Sequence, residues 1–386
     1  MRAITKLIKP NAKKEPPTKL QPLKHPLRTV FLLCQIAAVC TRLKSILSWD
    51  YVKLFFRTAR LCHKERFLPQ EAFAVGLLCD GVSESQTAKY YSRKKFIKVQ
   101  KSVNPEPWAP VLSDKSIMYR YCRMAGLKIP QLYAVFYKNS TGLTQAGTIM
   151  QTRDDWCRFI VDELPAEFVI KPTDGSLGRG IRIFRKKQLG FCDQYGQLFR
   201  PGQIYDIMRS DPEASGYVIQ QKLDNHTDIV ELTANDNLQT IRMITFVDAD
   251  RGASILQAHI KMITGNNALD NFAHGSTGNI QADIDIPTGQ IVSAIAPRRN
   301  QAGTVAIEYH PESGNPFEGF NIPQWNQACE LVLRGAKLFL PIRAIGWDIA
   351  ITPNGPVIIE GNFWWNPPNQ HRCMPEILSA MNYQKA

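Results

Sequence analysis

This sequence predicts an α+β protein with largely antiparallel sheets, preceded by a helical N-terminal region. Three observations carry that prediction. Beyond residue 130 the chain is dominated by short apolar runs: QLYAVFY, EFVIKP, IRIF, YVIQQKL, TIRMITFV, ILQAHIKMI, AIGWDIAI and PVIIEGN. Runs of this length, bounded by Gly, Pro, Asn and Asp, read as strands. Turn signals such as Pro353-Asn354-Gly355 join neighbours as hairpins, so the order is not a regular βαβ series. From Val30 to about Leu78 the apolar period is helical instead, in VFLLCQIAAVC and YVKLFF with charges between them.

Composition bounds the class. The chain has 386 residues, 44% of them hydrophobic and 21% charged, which is ordinary for a globular protein. At about 100–200 residues per domain, two units are expected. Such a chain buries a large core without staples, which excludes global disorder, collagen and disulfide-framework mini-proteins. Nine cysteines are scattered and none forms a C-x-x-C pair. A zinc ribbon is therefore not expected, and a reducing, cytoplasmic setting is.

The net charge of +13 is unevenly placed. Residues 1–100 carry 20 Lys and Arg against 6 Asp and Glu; the remainder carries 27 against 28. Residues 1–27 are Lys- and Pro-rich and poor in aromatics, so a mobile basic arm is expected there. Such an arm is a solvated tail or meets an anionic surface; peripheral contact with anionic membrane is the expected partner, and nucleic acid is not. The longest uncharged early run, Thr29 to Thr41, is thirteen residues. That is short of the ~18 needed to span a bilayer, and no A-x-A site follows a charged leader. A buried or interfacial helix is expected.

Residues 28–110 form the helical N-terminal region. Pro69 with Glu71 suits the opening of a helix. Arg93-Lys94-Lys95 adds a basic cluster, and Asn104, Pro105, Pro107 and Pro110 mark a boundary before a domain at 111–386. There Ser113 or Asp114 caps a helix, DKSIMYRYCRMAG, that stops at Gly126. A second helix, WNQACELVLRGAKLF, occupies 325–339.

Four segments carry chemistry. In FVIKPTDGSLGRGIRIF, residues 168–184, a strand ends at Lys171-Pro172 and another begins at Ile181. Gly175, Ser176, Gly178 and Gly180 lie in the loop between them. Closely spaced glycines let backbone N–H groups approach an anion, and Lys171 adds a point charge. This is neither a Walker A loop nor a G-x-G-x-x-G turn into a helix, and by itself it is equally an ordinary turn. In GWDIAITPNGPVIIEGN, a three-residue loop sets Thr352 against Pro356 and Asp348 against Glu360, with Asn362 on the same face. A two-residue turn leaves the carboxylates close but diagonal. Facing carboxylates repel unless a hard cation such as Mg²⁺ lies between them. The strand ending Gln221-Lys222-Leu223, followed by Asp228, offers backbone to an adenine edge and a carboxylate to a ribose. Lys261, Asn271, His274 and Gly275 belong to a polar loop region between apolar strands, of a kind that often carries function.

Taken in order, LPQEAFAVGLL, LSDKSIMYRYCRMAGLKIP, FVIKPTDGSLGRGI, QTIRMIT, LDNFAHGSTGNI, HPESGNPFEGFNIPQWNQA and IGWDIAITPNGPVIIEGN resemble the ATP-grasp superfamily, and within it the sugar-transfer-associated family linked to cell-surface polysaccharide synthesis. The resemblance runs from about Leu68 to Pro368. It implies two α+β lobes clasping ATP, with a glycine-rich lid at 168–184 and a metal-binding lobe at 221–386. Lys115 and Lys171 correspond to the phosphate lysines, and Gln221, Lys222 and Leu223 to the adenine hinge. Asp228 corresponds to the ribose carboxylate, and Asp348, Glu360 and Asn362 to the magnesium ligands. Arg242, Lys261, Asn271 and His274 fall where related carboxylate–amine ligases hold the acyl donor and the transferred phosphoryl group. Gln221, Lys261, Ser276 and the Phe363-Trp364-Trp365 run depart from the common pattern. The implied reaction is acylphosphate formation from ATP, then attack by an amine, on small-molecule or glycan-linked substrates. A kinase acting on a hydroxyl, or a non-catalytic nucleotide-binding docking protein, are the rival readings.

Overall fold

The computed structural model describes residues 50–382, except 80, 140, 176–177, 273–274, 299–301 and 369–373, together with positions 30, 33–34, 36–38 and 40–41. The arm expected at 1–27, Ser176 and His274 lie outside these residues. Two sheets organise them. The first runs, in spatial order, Ile149–Met150, Gly142–Thr144, Leu132–Tyr137, Gly216–Gln221, Glu167–Pro172, Arg182–Lys187, Gly190–Cys192 and Leu198–Phe199. The second runs Thr304–Ile307, Ile291–Pro297, Ile280–Ile284, Gly252–Met262, Thr240–Asp248, Ala344–Thr352 and Gly355–Asn362. The paired strands in both are antiparallel.

The strand Ala344–Thr352 is buried along its whole length, which is why it reads as a continuous apolar run rather than an alternating one. The helix Trp325–Leu338 turns Trp325, Ala328, Val332 and Ala336 onto that sheet. Gly335 sits so close that a Cβ there would lie 3.3 Å from the Trp347 ring. The first sheet has its own core, rich in aromatic edges such as Phe136–Trp156 and Phe168–Phe191. The helix Lys115–Met124 buries Met118, Tyr119 and Cys122 in the core of the second sheet. Its first backbone N–H donates to Thr173 O at 2.8 Å, which fixes the helix to the end of the strand Glu167–Pro172.

The N-terminal helices Tyr51–Arg60 and Pro69–Ala74 pack around Leu54, Leu61, Phe67 and Leu77. Pro69 opens its helix, and Glu71 Oε2 accepts from Leu68 N at 3.2 Å. The helix Arg93–Val103 behaves differently from its place in the sequence. Grouped with 28–110 by its position ahead of the proline cluster, it instead shares a core with the second sheet through Phe96, Val99 and Val103 against Ile244, Phe246 and Trp365. Gln100 donates to Trp365 O at 2.7 Å and accepts from Trp365 N at 3.3 Å. Buried Asn104 accepts from Arg343 N and Ala344 N at 3.0 and 2.8 Å. No described helix is long and apolar enough to cross a membrane.

The hairpin register departs from the three-residue loop. Thr352 pairs with Gly355, so the turn is the two residues Pro353-Asn354, with Gly355 at φ +107° where an L side chain is strained. That turn alone would offset the carboxylates. A register shift between Asp348 and Ile349 leaves Ile359 unpaired, and Asp348 again faces Glu360. The pairing is as expected, but a β-bulge produces it.

Candidate functional site

Asp114 Oδ1 accepts from Ser116 N and Ile117 N at 2.7 and 3.2 Å, and so starts the helix at Lys115. Lys115 is thereby held, buried, behind Glu360 and the glycine loop, and it lines neither cavity described below. Its Nζ donates to Gly175 O at 2.9 Å and lies 3.5 Å from Glu360 Oε2. Lys171, next to last in its strand, is also buried and donates to Tyr119 Oη at 2.6 Å. The Tyr119 hydroxyl in turn lies 2.8 Å from Gln220 Oε1 and 2.9 Å from the carbonyl of the bulged Ile359. Burial, reinforced by the neighbouring Lys115 charge, pushes the Lys171 amine down to about 7, against the pull of Glu360 and Asp348.

Three adjacent strands supply the opposite wall. Arg242 grips Asp348 with two hydrogen bonds, Nε to Oδ1 at 2.8 Å and Nη2 to Oδ2 at 2.9 Å. Lys261 Nζ lies 3.1 Å from Asp348 Oδ1 and 3.7 Å from Asp270 Oδ2. Burial alone would raise the Asp348 carboxyl; Arg242 and Lys261 outweigh it and hold it well below the usual range. Burial raises Asp270 despite Lys261 and the Thr240 hydrogen bonds. Among the described residues Glu360 has one ion pair, the long one to Lys115.

These groups border two cavities of ≈ 180 and ≈ 190 Å³ that share Lys171, Ile181, Thr240, Leu269, Asp270 and Ile359. The first is walled by Val169 and Ile183 of the first sheet with Ile181 just before its strand, and by Leu238 and Leu269 in loops beside the second, and it also takes in Gln221, Lys222 and Leu223. The second brings together Lys171, Gly178, Arg242, Lys261, Asn271, Asp348, Glu360 and Asn362. Gly178 has φ +72°, and a Cβ there would lie 2.6 Å from Asn271 Nδ2 and Leu269 Cδ1. Only glycine lets the loop close onto residues 269–271. Gly180, at φ +74°, is likewise pressed against Pro172.

Asp228 is placed elsewhere. It lies in the first turn of the helix Thr227–Thr233, half exposed, 3.3 Å from His226 Nδ1, and it lines neither cavity. Asp236 and Asn237 line the first cavity instead. Trp364 and Trp365 both border the second, but Trp365 is 1% exposed and packs edge-on to Phe96 at 4.7 Å, so it is chiefly core. Sequence reasoning missed Tyr119, Asp270, Thr240, Asp236 and Arg93. Thr240 had a usable signal, since alternation puts it on the same strand face as Arg242. Arg93 had none, because nothing local ties residue 93 to a hairpin at 348–360.

The metal reading can be tested against the donor set. Asp348, Glu360 and Asn362 are all oxygen donors on one strip, the chemistry Mg²⁺ prefers. Among the described residues no group of three His, Cys, Asp or Glu is arranged to hold an ion unaided. Both Asp348 oxygens are engaged by Arg242 and Lys261, which leaves Glu360 the freer of the two carboxylates.

A glycine loop between strands of one sheet, pressed against residues 269–271 beside Lys261, Asp348 and Glu360 of another, is the arrangement of an ATP-grasp protein. The profile of the sugar-transfer associated ATP-grasp family matches residues 94–368, and the chain belongs to that family. No curated protein matches the sequence. Among solved structures, biotin carboxylase from Campylobacter jejuni is 11% identical with a TM-score of 0.42, over 72% of this chain and 47% of that one. D-alanine–D-alanine ligase from Bacillus anthracis is 13% identical with a TM-score of 0.37, over 70% and 68%. L-amino acid ligase from Bacillus licheniformis is 11% identical with a TM-score of 0.34, over 65% and 40%. The chain thus spans less than half the length of the carboxylase and of the L-amino acid ligase.

Proposed function

We propose that this chain is an ATP- and magnesium-dependent ligase that joins a carboxylate to an amine or another nucleophile through an acylphosphate, in cell-surface polysaccharide or peptide-conjugate biosynthesis. One observation carries the reading: a largely apolar slot shares six wall residues with a cavity lined by Lys171, Arg242, Lys261 and Glu360. The slot suits a purine between Ile181, Ile183 and Leu238, with Gln221 to Leu223 along its edge. Asp236 and Asn237 suit the ribose hydroxyls, in the role first given to Asp228. Lys115 and Lys171 face the phosphates. Asp348, Glu360 and Asn362 would hold Mg²⁺, which neutralises phosphate charge when bound. Lys261 and Arg242 orient the carboxylate for in-line attack on the γ-phosphate, and Asn271 positions the transferred group. The glycine loop excludes water, which would hydrolyse the acylphosphate. Arg93, Trp364 and Asn366 line the second cavity but not the first, as acyl and acceptor contacts should. The substrates are small-molecule or glycan-linked carboxylates and amines.

The test is trapping. Protein, Mg²⁺-ATP, a pool of carboxylates and hydroxylamine are incubated, and nucleotides and acyl products are separated. ADP, phosphate and a hydroxamate are expected. A stable phosphoester in place of the hydroxamate selects a kinase, and AMP refutes the mechanism.

Lys171 gives a second readout. With its amine depressed to about 7, the folded chain binds fewer protons than the unfolded one between that pH and the ordinary lysine value of about 10.4. The free protein therefore gains stability from this group as pH rises through that window. An anionic phosphate beside Lys171 draws the charged form back. ATP binding at about pH 8 should take up close to one proton, seen as calorimetric heats that vary with buffer ionisation enthalpy. Lys171→Met should remove that dependence; buffer-independent heats in the wild type would place Lys171 away from the phosphates.

A further inference from the structure

A groove of ≈ 700 Å³ among the described residues shares no lining residue with the two cavities of the candidate site. Its walls are the helix Tyr51–Arg60 with the turn after it, and the segment that holds Val82, Glu84 and Ala88. We propose that this groove and the helix face beside it dock onto the anionic surface of a lipid membrane.

Val52 and Phe56, one helical turn apart, are 55% and 67% exposed. Single exposed apolar side chains are ordinary, but two on one helix face beside a groove form a small apolar patch that a contact would cover. Lys53, Arg57, Arg60 and Lys64 recur at helical spacing along the same groove, against Glu65 and Glu84. Arg57 is tied inward, donating to Leu77 O at 2.8 Å and Val82 O at 2.9 Å, and Arg60 pairs with Glu84. Lys53 and Lys64 face outward, exposed. Apolar side chains flanked by outward lysines form the pattern of a helix lying in a bilayer interface, where the ring enters the acyl boundary and the ammonium groups meet lipid phosphates.

Other occupants fit less well. Residues 1–28 carry eight Lys and Arg against one Glu, so charge repels them from a basic groove and adds to attraction by an anionic surface. Two copies of the chain would oppose like charges. Nucleic acid would satisfy the lysines and leave Val52 and Phe56 in water. This inference is independent of the reaction proposed above.

The test is co-sedimentation of the full chain with vesicles of phosphatidylcholine alone, or with about a third phosphatidylserine. Binding only to the anionic vesicles is expected, lost as salt rises toward about 0.5 M. Val52→Ser with Phe56→Ser should weaken it roughly tenfold by removing buried apolar area. Lys53→Gln with Lys64→Gln should weaken it roughly thirtyfold, at about 1 kcal/mol per basic residue. Circular dichroism and thermal unfolding check that these surface variants fold. Equal binding to neutral vesicles overturns the proposal. So do groove variants that bind as wild type while removal of residues 1–27 abolishes binding. A preference for duplex DNA that ignores Val52 and Phe56, or a dimer in light scattering that those substitutions dissolve, overturns it as well.

Discussion

Asp348→Ala is expected to destabilise the protein by about 3–5 kcal/mol, the usual cost of removing one partner from a buried ion pair. Asp348 is 7% exposed, on the last but one strand of the second sheet, between Thr240–Asp248 and Gly355–Asn362. Its two oxygens take both Arg242 hydrogen bonds, the Lys261 ammonium at 3.1 Å and the Asn362 amide at 3.4 Å. Truncation leaves two cations in the wall without their shared hydrogen-bonded partner, with Asp270 3.7 Å from Lys261 and Glu360 acting on Arg242 from further off. Asp348→Asn keeps an acceptor and the volume but loses the charge, so it should fall between wild type and alanine. Urea denaturation at neutral pH measures the order. The acid dependence follows from the same contacts. The folded carboxyl lies below its unfolded value, so its contribution is present above the ordinary Asp pKa of about 3.9 and lost as pH falls toward the folded value. In either variant that part of the acid sensitivity disappears. Wild-type stability in Asp348→Ala would mean that Arg242 and Lys261 rehydrate, and that the wall is looser than these distances imply.

How much of this was legible depends on how local each feature is. The strand Ala344–Thr352 was readable because burial on both faces leaves an apolar run broken only by Asp348, and Glu167–Pro172 because buried Phe168 and Ile170 alternate with half-buried neighbours. Asp114 as a cap was readable because capping needs only neighbours. The short strands Gly142–Thr144, Gly190–Cys192 and Leu198–Phe199 were not, since two or three residues hold no period. The site divides in the same way. Gly178 and Gly180 announce themselves because nothing else tolerates their backbone beside Asn271 and Pro172. Asp228 was chosen by distance along the chain from the hinge, but the helix Thr227–Thr233 carries it out to solvent, while Asp236 returns to the cavity. Tyr119 reads as an ordinary helical core residue until Lys171 arrives from another strand to donate to it. The Asp348–Glu360 pairing was inferred through the wrong turn, and a bulge that no turn rule reveals restored it.

That bulge separates the two carboxylates by role, and Glu360→Gln should expose the separation. Asp348 is held by Arg242, Lys261 and Asn362, whereas Glu360 is 28% exposed at its side chain and has one ion pair among the described residues, to Lys115 at 3.5 Å. The amide has the same shape and removes the repulsion between facing carboxylates, so unfolding temperature without metal should hold or rise. Turnover should not survive. A neutral oxygen at this position loses its charge on a divalent cation, and the transition state loses the electrostatic support that cation provides; a drop of roughly a hundred- to a thousandfold is the scale for one such contact. Lys115 offers a rival cause, since the substitution also frees its ammonium. The two are separable by titration. A weakened metal site shifts the Mg²⁺ dependence of ATP consumption to higher concentration and leaves metal-free nucleotide binding intact or tighter. A Lys115 effect changes nucleotide binding and leaves the Mg²⁺ midpoint alone. Stable protein with lost turnover and a raised Mg²⁺ midpoint would assign Glu360 to the metal, and normal turnover would remove the hairpin from the site.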